Sequence, residues 1–227
     1  MELKYQTVRS ARRKKLTITV ERDRSIVVQA PATASDEAIR AAVESKRAWL
    51  LGKVRHEQKY SPRPHPPGKE IVNGESALYL GREYRIELGE TESREVEFDR
   101  RFLVPANRAS LRRQVLKAWY LARAEQIILP RVQRHAAALG VMCQGAAIVD
   151  NRYRWGSCTP ADRVSFNWRL IKAPMFAIDY VIVHELAHLL EANHTPRFWN
   201  IVRANAPASE KAQAWLKEHG QVLEEEI

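Results

Sequence analysis

No stretch of the 227 residues approaches 18 uninterrupted apolar side chains, the length a helix needs to cross a bilayer. A membrane-spanning protein is therefore not expected. The opening residues, Met1-Glu-Leu-Lys-Tyr5, run into basic, strand-like sequence without an apolar signal region. Cysteine is scarce: Cys143 and Cys158 are the only two, too few for a disulfide framework and suited to a reducing cytoplasm. No motif that reads DNA or RNA is present. What remains is ordinary for a globular chain, 45% hydrophobic and 28% charged, and long enough to bury a core. One excess stands out, a formal net charge of +10. It permits attraction to nucleic acid, anionic membrane surfaces or acidic proteins without choosing among them, and a solubilising surface is the plain alternative.

Residues 7–31 read as a β-hairpin: Leu16 to Val20 and Ile26 to Val28 alternate apolar and polar around a turn near Asp23. Arg9, Arg12, Arg13, Lys14 and Lys15 make its first strand basic, which suits either a nucleic-acid contact or a charged edge that blocks aggregation. Ser35 or Asp36 should cap a helix to about Lys59, with Ile39, Val43, Leu50 and Val54 as its stripe. Four prolines within 60–68 make a linker or exposed loop. Two more hairpins follow, at 78–88 and 96–104, and are expected to share a sheet with the first. A long helix is expected from Ser110 to Leu139, kinked or split at Pro130 and ended by Gly140. Strands are expected at 146–149, 152–158 and 164–167, and final helices after Pro196 and from Ser209.

The chemistry concentrates between Asp179 and Trp199, which holds His184-Glu185-Leu-Ala-His188 among apolar neighbours. Residues four apart share a helix face, so His184 and His188 can offer their imidazoles to one ion, with Glu185 in reach of a water held there. Two histidines and a base on one turn form the metalloprotease signature. A surface histidine pair is the bland reading. Val181, Ile182, Val183, Leu186, Ala187, Leu189 and Leu190 argue against it, because they bury the helix on nearly all sides and buried polar groups need partners. The third ligand is open between two residues. Glu191 lies on the same helix row, which makes surrounding an ion awkward. His194 follows Asn193, whose tolerance of the left-handed conformation could turn the chain back; His194 is preferred. Cys158 as a nucleophile lacks a free histidine partner, so packing is the expected use.

Several short blocks stand in order: Arg154-Trp-Gly-Ser-Cys158, Val164-Ser-Phe-Asn167-Trp168, Ile178-Asp-Tyr-Val181, His184 to His188, and Asn193-His-Thr-Pro-Arg-Phe-Trp199. Together with the basic Arg12-Arg13-Lys14 strand and the Trp49 helix, this pattern resembles the YgjP-like metallopeptidases, small zincins akin to the SprT and WLM groups. The resemblance spans nearly the whole chain. It implies zinc ligands at His184, His188 and His194, one ion per chain, and Glu185 as catalytic base. It further implies a substrate strand within 155–158 or 164–168, so Trp155, Gly156, Ser157 and Asn167 are candidate substrate contacts. The histidine spacing equals that of the metzincins, but Glu191 stands where those enzymes have glycine, and that assignment is not made.

The expected fold is α+β: a zincin-like domain over 106–227, with active-site helix, backing helix and small mixed sheet, after an N-terminal β-rich region over 1–105. The expected reaction is metal-assisted hydrolysis of a peptide bond in a cytoplasmic peptide or protein substrate. Tyr153, Arg154 and Tyr180 are candidates by type to stabilise the oxyanion. Two alternatives stand beside this reading, zinc-dependent hydrolysis of a non-peptide amide and action on DNA-bound proteins through the basic N-terminal face.

Overall fold

The computed structural model describes residues 3–11, 13–20, 26–55, 71–90, 95–106, 109–151 and 154–224. The expected turn near Asp23, the proline-rich joint and Tyr153 lie outside them. Two compact units divide the chain, Met1–Pro66 and Pro67–Ile227.

In the first unit, β1 (Tyr5–Ser10), β2 (Thr17–Val20) and β3 (Ile26–Pro31) form a sheet in the order β1-β3-β2. The expected antiparallel pairing of β2 with β3 is there; β1 adds to the far side of β3 in parallel. Alternation along β3 buries Ile26, Val28 and Ala30. They meet Ile39 and Val43 of α1 (Asp36–Ser45) and Leu50 of α2 (Arg47–Arg55). The Ser35 side chain caps α1 by accepting from the Ala38 N–H at 3.2 Å. The single helix expected here is two, broken at Lys46.

In the second unit, β4 (Ser76–Tyr79), β5 (Arg82–Gly89), β6 (Glu97–Phe98) and β7 (Phe102–Pro105) form a sheet in the order β4-β5-β7-β6. Both expected hairpins exist, but their strands do not join the N-terminal sheet. Their aromatic rings decide this. Tyr79 and Phe102 each lie 5.0 Å from the Trp119 ring on α3 (Ala109–Leu139), in edge-to-face contacts. The strands of 76–105 thus share a core with α3, and the division moves from the expected 105 to the proline-rich joint.

Helix α3 is not split at Pro130. Pro130 is exposed, as is Gln126, whose carbonyl loses its helical partner there. Gly140, at φ +67°, ends the helix: its N–H donates to Ala137 O and the Val141 N–H to Ala136 O, a Schellman closure. Then come β8 (Gly145–Val149), β9 (Gly156–Cys158) and β10 (Arg163–Asn167), ordered β8-β10-β9, with β10 central and β9 an edge. A 3-10 turn at Trp168–Lys172 leads into α4 (Met175–Ala187), α5 (Pro196–Asn205) and α6 (Ser209–Leu223). Helix α4 packs against α3, α5, α6 and β9, as its all-round apolar sequence requires. No helix among the described residues is long and apolar enough to cross a membrane.

One polar clamp joins α3 to α4. Arg131 donates to both carboxylate oxygens of Asp179 at 2.7 Å, and His135 Nε2 lies 3.0 Å from one of them. Burial would push the Asp179 carboxyl up; the hydrogen bonds from His135 and Arg131 outweigh it and hold the group well below the usual carboxylate range. A depressed carboxylate contributes stability above its unfolded pKa and loses it as pH falls. Asp179→Asn should therefore cost about 2 kcal/mol at neutral pH, as expected for breaking a partly buried ion pair. The difference from wild type should shrink below about pH 4. Urea unfolding at pH 7 and pH 3 checks it; an equal deficit at both would exclude charge as the source.

Candidate metal centre

His184 and Glu185 occupy the last turn of α4, and His188 caps it at φ −66°, ψ −18°, still helical enough to keep the four-residue spacing. The chain then tightens. Leu189 N–H donates to Leu186 O and Leu190 N–H to Ala187 O, at 3.1 and 3.0 Å. The reversal expected from a left-handed Asn193 is made differently, because Asn193 is not among the residues with positive φ. Instead, the Thr195 N–H donates to Asn193 O at 2.7 Å in a three-residue turn. Thr195 Oγ1 next accepts from the Phe198 N–H, and Pro196 opens α5. That sequence of turns brings His194 back over α4.

The result is a cluster of His184, His188 and His194 whose ligand nitrogens all lie within 4.8 Å of one another. His184 Nε2 and His194 Nε2 are 3.0 Å apart. A tetrahedral zinc with imidazole nitrogens at 2.0–2.1 Å would space them by about 3.3 Å, so the donor set fits such an ion. The protonation states agree. Burial, then the neighbouring His188 and His194, push His184 down to about 4, and burial with His188 lowers His194. Neutral imidazoles keep the lone pairs that a metal needs.

The surroundings orient each ring. His188 Nδ1 donates to the Glu191 carbonyl at 3.2 Å, which leaves its Nε2 available to a metal ion. That carbonyl is the contribution of Glu191; its carboxylate is not part of the cluster. The Tyr180 hydroxyl lies 3.5 Å from His184 Nδ1. Phe198, fully buried, sits 4.6–5.0 Å from all three imidazole rings, and Trp199 stacks on His194 at 5.6 Å. These two aromatics hold the ligand turn against the core.

Glu185 is 8% exposed. Burial pushes its carboxyl up to about 7, against the pull of the Arg154 charge. A carboxyl poised near neutrality can both take and return a proton. Its position depends on Gly156: a Cβ there would stand 2.6 Å from Glu185 Cγ and 2.8 Å from Oε1. Gly156→Ala should therefore displace the carboxylate and lower peptide cleavage at least about 100-fold, the scale for misplacing a reacting group by an ångström. Metal content should stay unchanged, because no ligand moves; activity and metal stoichiometry measured together check this.

Gly156 also begins the open edge. Asn167 N–H donates to Trp155 O and Thr159 N–H to Arg163 O, so 155 and 159 face β10. By the alternation of antiparallel pairs, Gly156 and Cys158 turn their N–H and C=O groups to the unpaired side.

The other expected substrate contacts serve the scaffold. Ser157 Oγ is paired with Ser165 Oγ at 2.8 Å, and the Trp155 ring lies against Gly220 of α6. Asn167 is 2% exposed. Its side-chain amide donates to the carbonyls of Asn151 and Arg154, and its Oδ1 accepts from the Arg169 N–H. A buried amide spent this way straps the Asn151 and Arg154 carbonyls and is not free for substrate. Its position before the 3-10 turn was the available signal, since Asn favours such caps. The Cys158 thiol is pushed up by burial, then by Glu185, which fits packing rather than nucleophilic use.

The chain matches a family model described as YgjP-like, metallopeptidase domain, over residues 14–219. Among solved structures it is similar to the metallopeptidase zymogen abylysin of Pyrococcus abyssi: 16% identity, TM-score 0.38, 44% of this chain and 99% of that one covered. It is also similar to the zymogen jannalysin of Methanocaldococcus jannaschii: 18% identity, TM-score 0.35, 42% of this chain and 96% of that one covered. No curated protein matches it.

Proposed function

Because the chain belongs to the YgjP-like metallopeptidase family, we propose that it hydrolyses peptide bonds with one zinc ion held by His184, His188 and His194 and with Glu185 as general base. The observation that carries this reading is the convergence of three imidazoles, with ligand nitrogens within 4.8 Å of one another, beside a buried carboxyl pushed up to about 7. A zinc ion on such a donor set supplies Lewis acidity, making water acidic near neutrality and polarising a carbonyl. The chain's own residues do the rest. Glu185 accepts the proton of the attacking water on its carboxylate and delivers it to the leaving amine nitrogen. Glu191 O and Tyr180 keep His188 and His184 turned to the ion. The free N–H and C=O groups of Gly156 and Cys158 hydrogen-bond an extended peptide along β9, which tolerates many sequences because it reads backbone.

The test is cleavage of a fluorescently labelled unfolded protein by chain stripped of metal and reloaded with zinc. Cleavage that appears at one zinc per chain and stops on chelation supports the reading. Turnover of small aryl amides with no attack on polypeptide would favour the non-peptide amide alternative.

A second reading has its own observation. Residues 1–66 hold fifteen Lys and Arg against seven Asp and Glu, a formal +8 of the chain's +10. Positive charge gathered in one unit suits a polyanionic partner, and nucleic acid is the partner read here, with the peptidase acting on proteins bound to it. Binding of the full chain to labelled single- and double-stranded DNA should then weaken steeply with salt. Absence of binding at low salt would remove this reading.

A further inference from the structure

Trp49 stands apart from the other five tryptophans, which are buried or half-buried. It is 45% exposed, and of the large apolar side chains exposed among the described residues it alone is aromatic. A flat ring offered to solvent is a surface on which another flat ring can stack. Resting on the second reading above, a nucleic-acid partner, we infer that Trp49 is a stacking platform for a base of single-stranded nucleic acid. A duplex keeps its base faces inside its own stack, whereas a single strand leaves them free to meet an aromatic side chain.

The surroundings of the ring are cationic and open. Lys46 Nζ lies 5.9 Å from the ring centroid. A base on the indole can therefore set its phosphate beside that ammonium, the pairing of stacking with backbone charge that single-strand binders use. Gly52 follows three residues later on α2, a neighbour by helical spacing, and a Cβ there would meet nothing within 4 Å. No side chain crowds the ring from that position. Residues 46–55 hold four cations and no acid, and one of the four, Arg47, is paired with Glu44 at 2.6 Å. Helix α2 packs against β2, the strand into which the exposed Arg13, Lys14 and Lys15 lead. A lipid surface is the rival occupant for a tryptophan among cations, but it asks for an apolar face to insert. Helix α2 has no such face: Leu50 is buried in the core, and Leu51 and Val54 are half-buried. One ring alone among charges suits a base.

Binding of the full chain to labelled oligothymidylate, followed by fluorescence anisotropy across a salt series, tests the assignment. Trp49→Ala should bind about 5- to 150-fold more weakly, the range for losing one stacked base. Its salt slope should match wild type, since no charge is lost, whereas Lys46→Gln should lower the slope by about 0.7. Trp49→Phe keeps a ring and should keep most of the affinity, which guards against a folding artefact in the alanine variant. The difference in emission between wild type and Trp49→Phe isolates Trp49 from the other tryptophans, and the oligonucleotide should quench it. Duplex DNA of the same length should bind without quenching and without sensing Trp49→Ala. Oligouridylate in place of oligothymidylate separates RNA from DNA as the source of the strand. Equal binding by wild type and Trp49→Ala, or an unquenched Trp49, would overturn the inference. So would a Trp49 signal given by phosphatidylserine vesicles and not by oligonucleotide, which would assign the ring to a lipid surface. Wild type that binds neither single strand nor duplex at low salt is a different outcome: there the nucleic-acid reading itself fails, and the inference with it.

Discussion

Glu185→Gln is expected to abolish peptide cleavage, by roughly 100- to 10,000-fold or more, the range that a positioned general base supplies. Zinc content should stay at the wild-type level, since Glu185 is outside the histidine cluster. The same change should stabilise the metal-free protein. Burial raises the Glu185 carboxyl from an ordinary 4.5 to about 7. Below pH 4 it is protonated folded and unfolded alike, and costs nothing. As pH rises from about 4.5 the unfolded chain ionises freely while the folded one resists, so stability falls until about pH 7 and the full penalty persists above it. At 1.36 kcal/mol per pKa unit, that penalty is about 3 kcal/mol. Glutamine does not ionise. Urea unfolding of chelator-treated protein should show the variant more stable by about this amount at pH 8 and equal to wild type near pH 4. A variant no more stable at pH 8 would mean that the carboxyl is better solvated than its burial implies. A variant that still cleaves peptide would remove Glu185 from the mechanism.

His194→Ala carries the second large effect, loss of the metal. His184 and His188 share one helix face, and two imidazoles on one side leave an ion half enclosed. His194 closes the set from the returning turn. Loss of an orienting partner alone costs 10- to 100-fold in metal affinity, so deleting a ligand should exceed about 100-fold. Mass spectrometry should find about one zinc per wild-type chain and far less in the variant. Added zinc should raise the thermal midpoint of wild type, since ligand at about 1,000 times Kd contributes about 4 kcal/mol, and should leave the variant where it was. Glu191→Ala should keep its zinc, because the Glu191 backbone carbonyl, present in any residue, is what His188 uses. The reverse pattern, zinc kept without His194 and lost without Glu191, would make Glu191 the ligand.

Asn193 and Gly156 show where reading the residues in line reached its limit. Asn193 suggested a left-handed turn on propensity alone. The turn that forms instead uses the Asn193 carbonyl and the Thr195 N–H, a choice made by Thr195 capping α5 and by Phe198 anchoring beneath the rings. Gly156 was expected to contact substrate. What comes closest is the Glu185 carboxyl, from a helix 29 residues further along. The strands of 76–105 likewise carry a clear hairpin pattern, but which sheet they join depends on where Trp119 and Tyr120 present their rings.

The sequence by itself determined the elements and the metal-type chemistry, because both are local. Alternation and helical period set strands and helices within a few residues, and the four-residue spacing of His184 and His188 places two imidazoles on one turn whatever surrounds it. Only the tertiary structure decided what meets that turn: His194 beside the helical pair, Gly156 against Glu185 and Asn167 as a strap. These pairings join residues far apart along the chain. They follow from packing α4 among α3, α5, α6 and β9, and no local pattern encodes the outcome of that competition for contact.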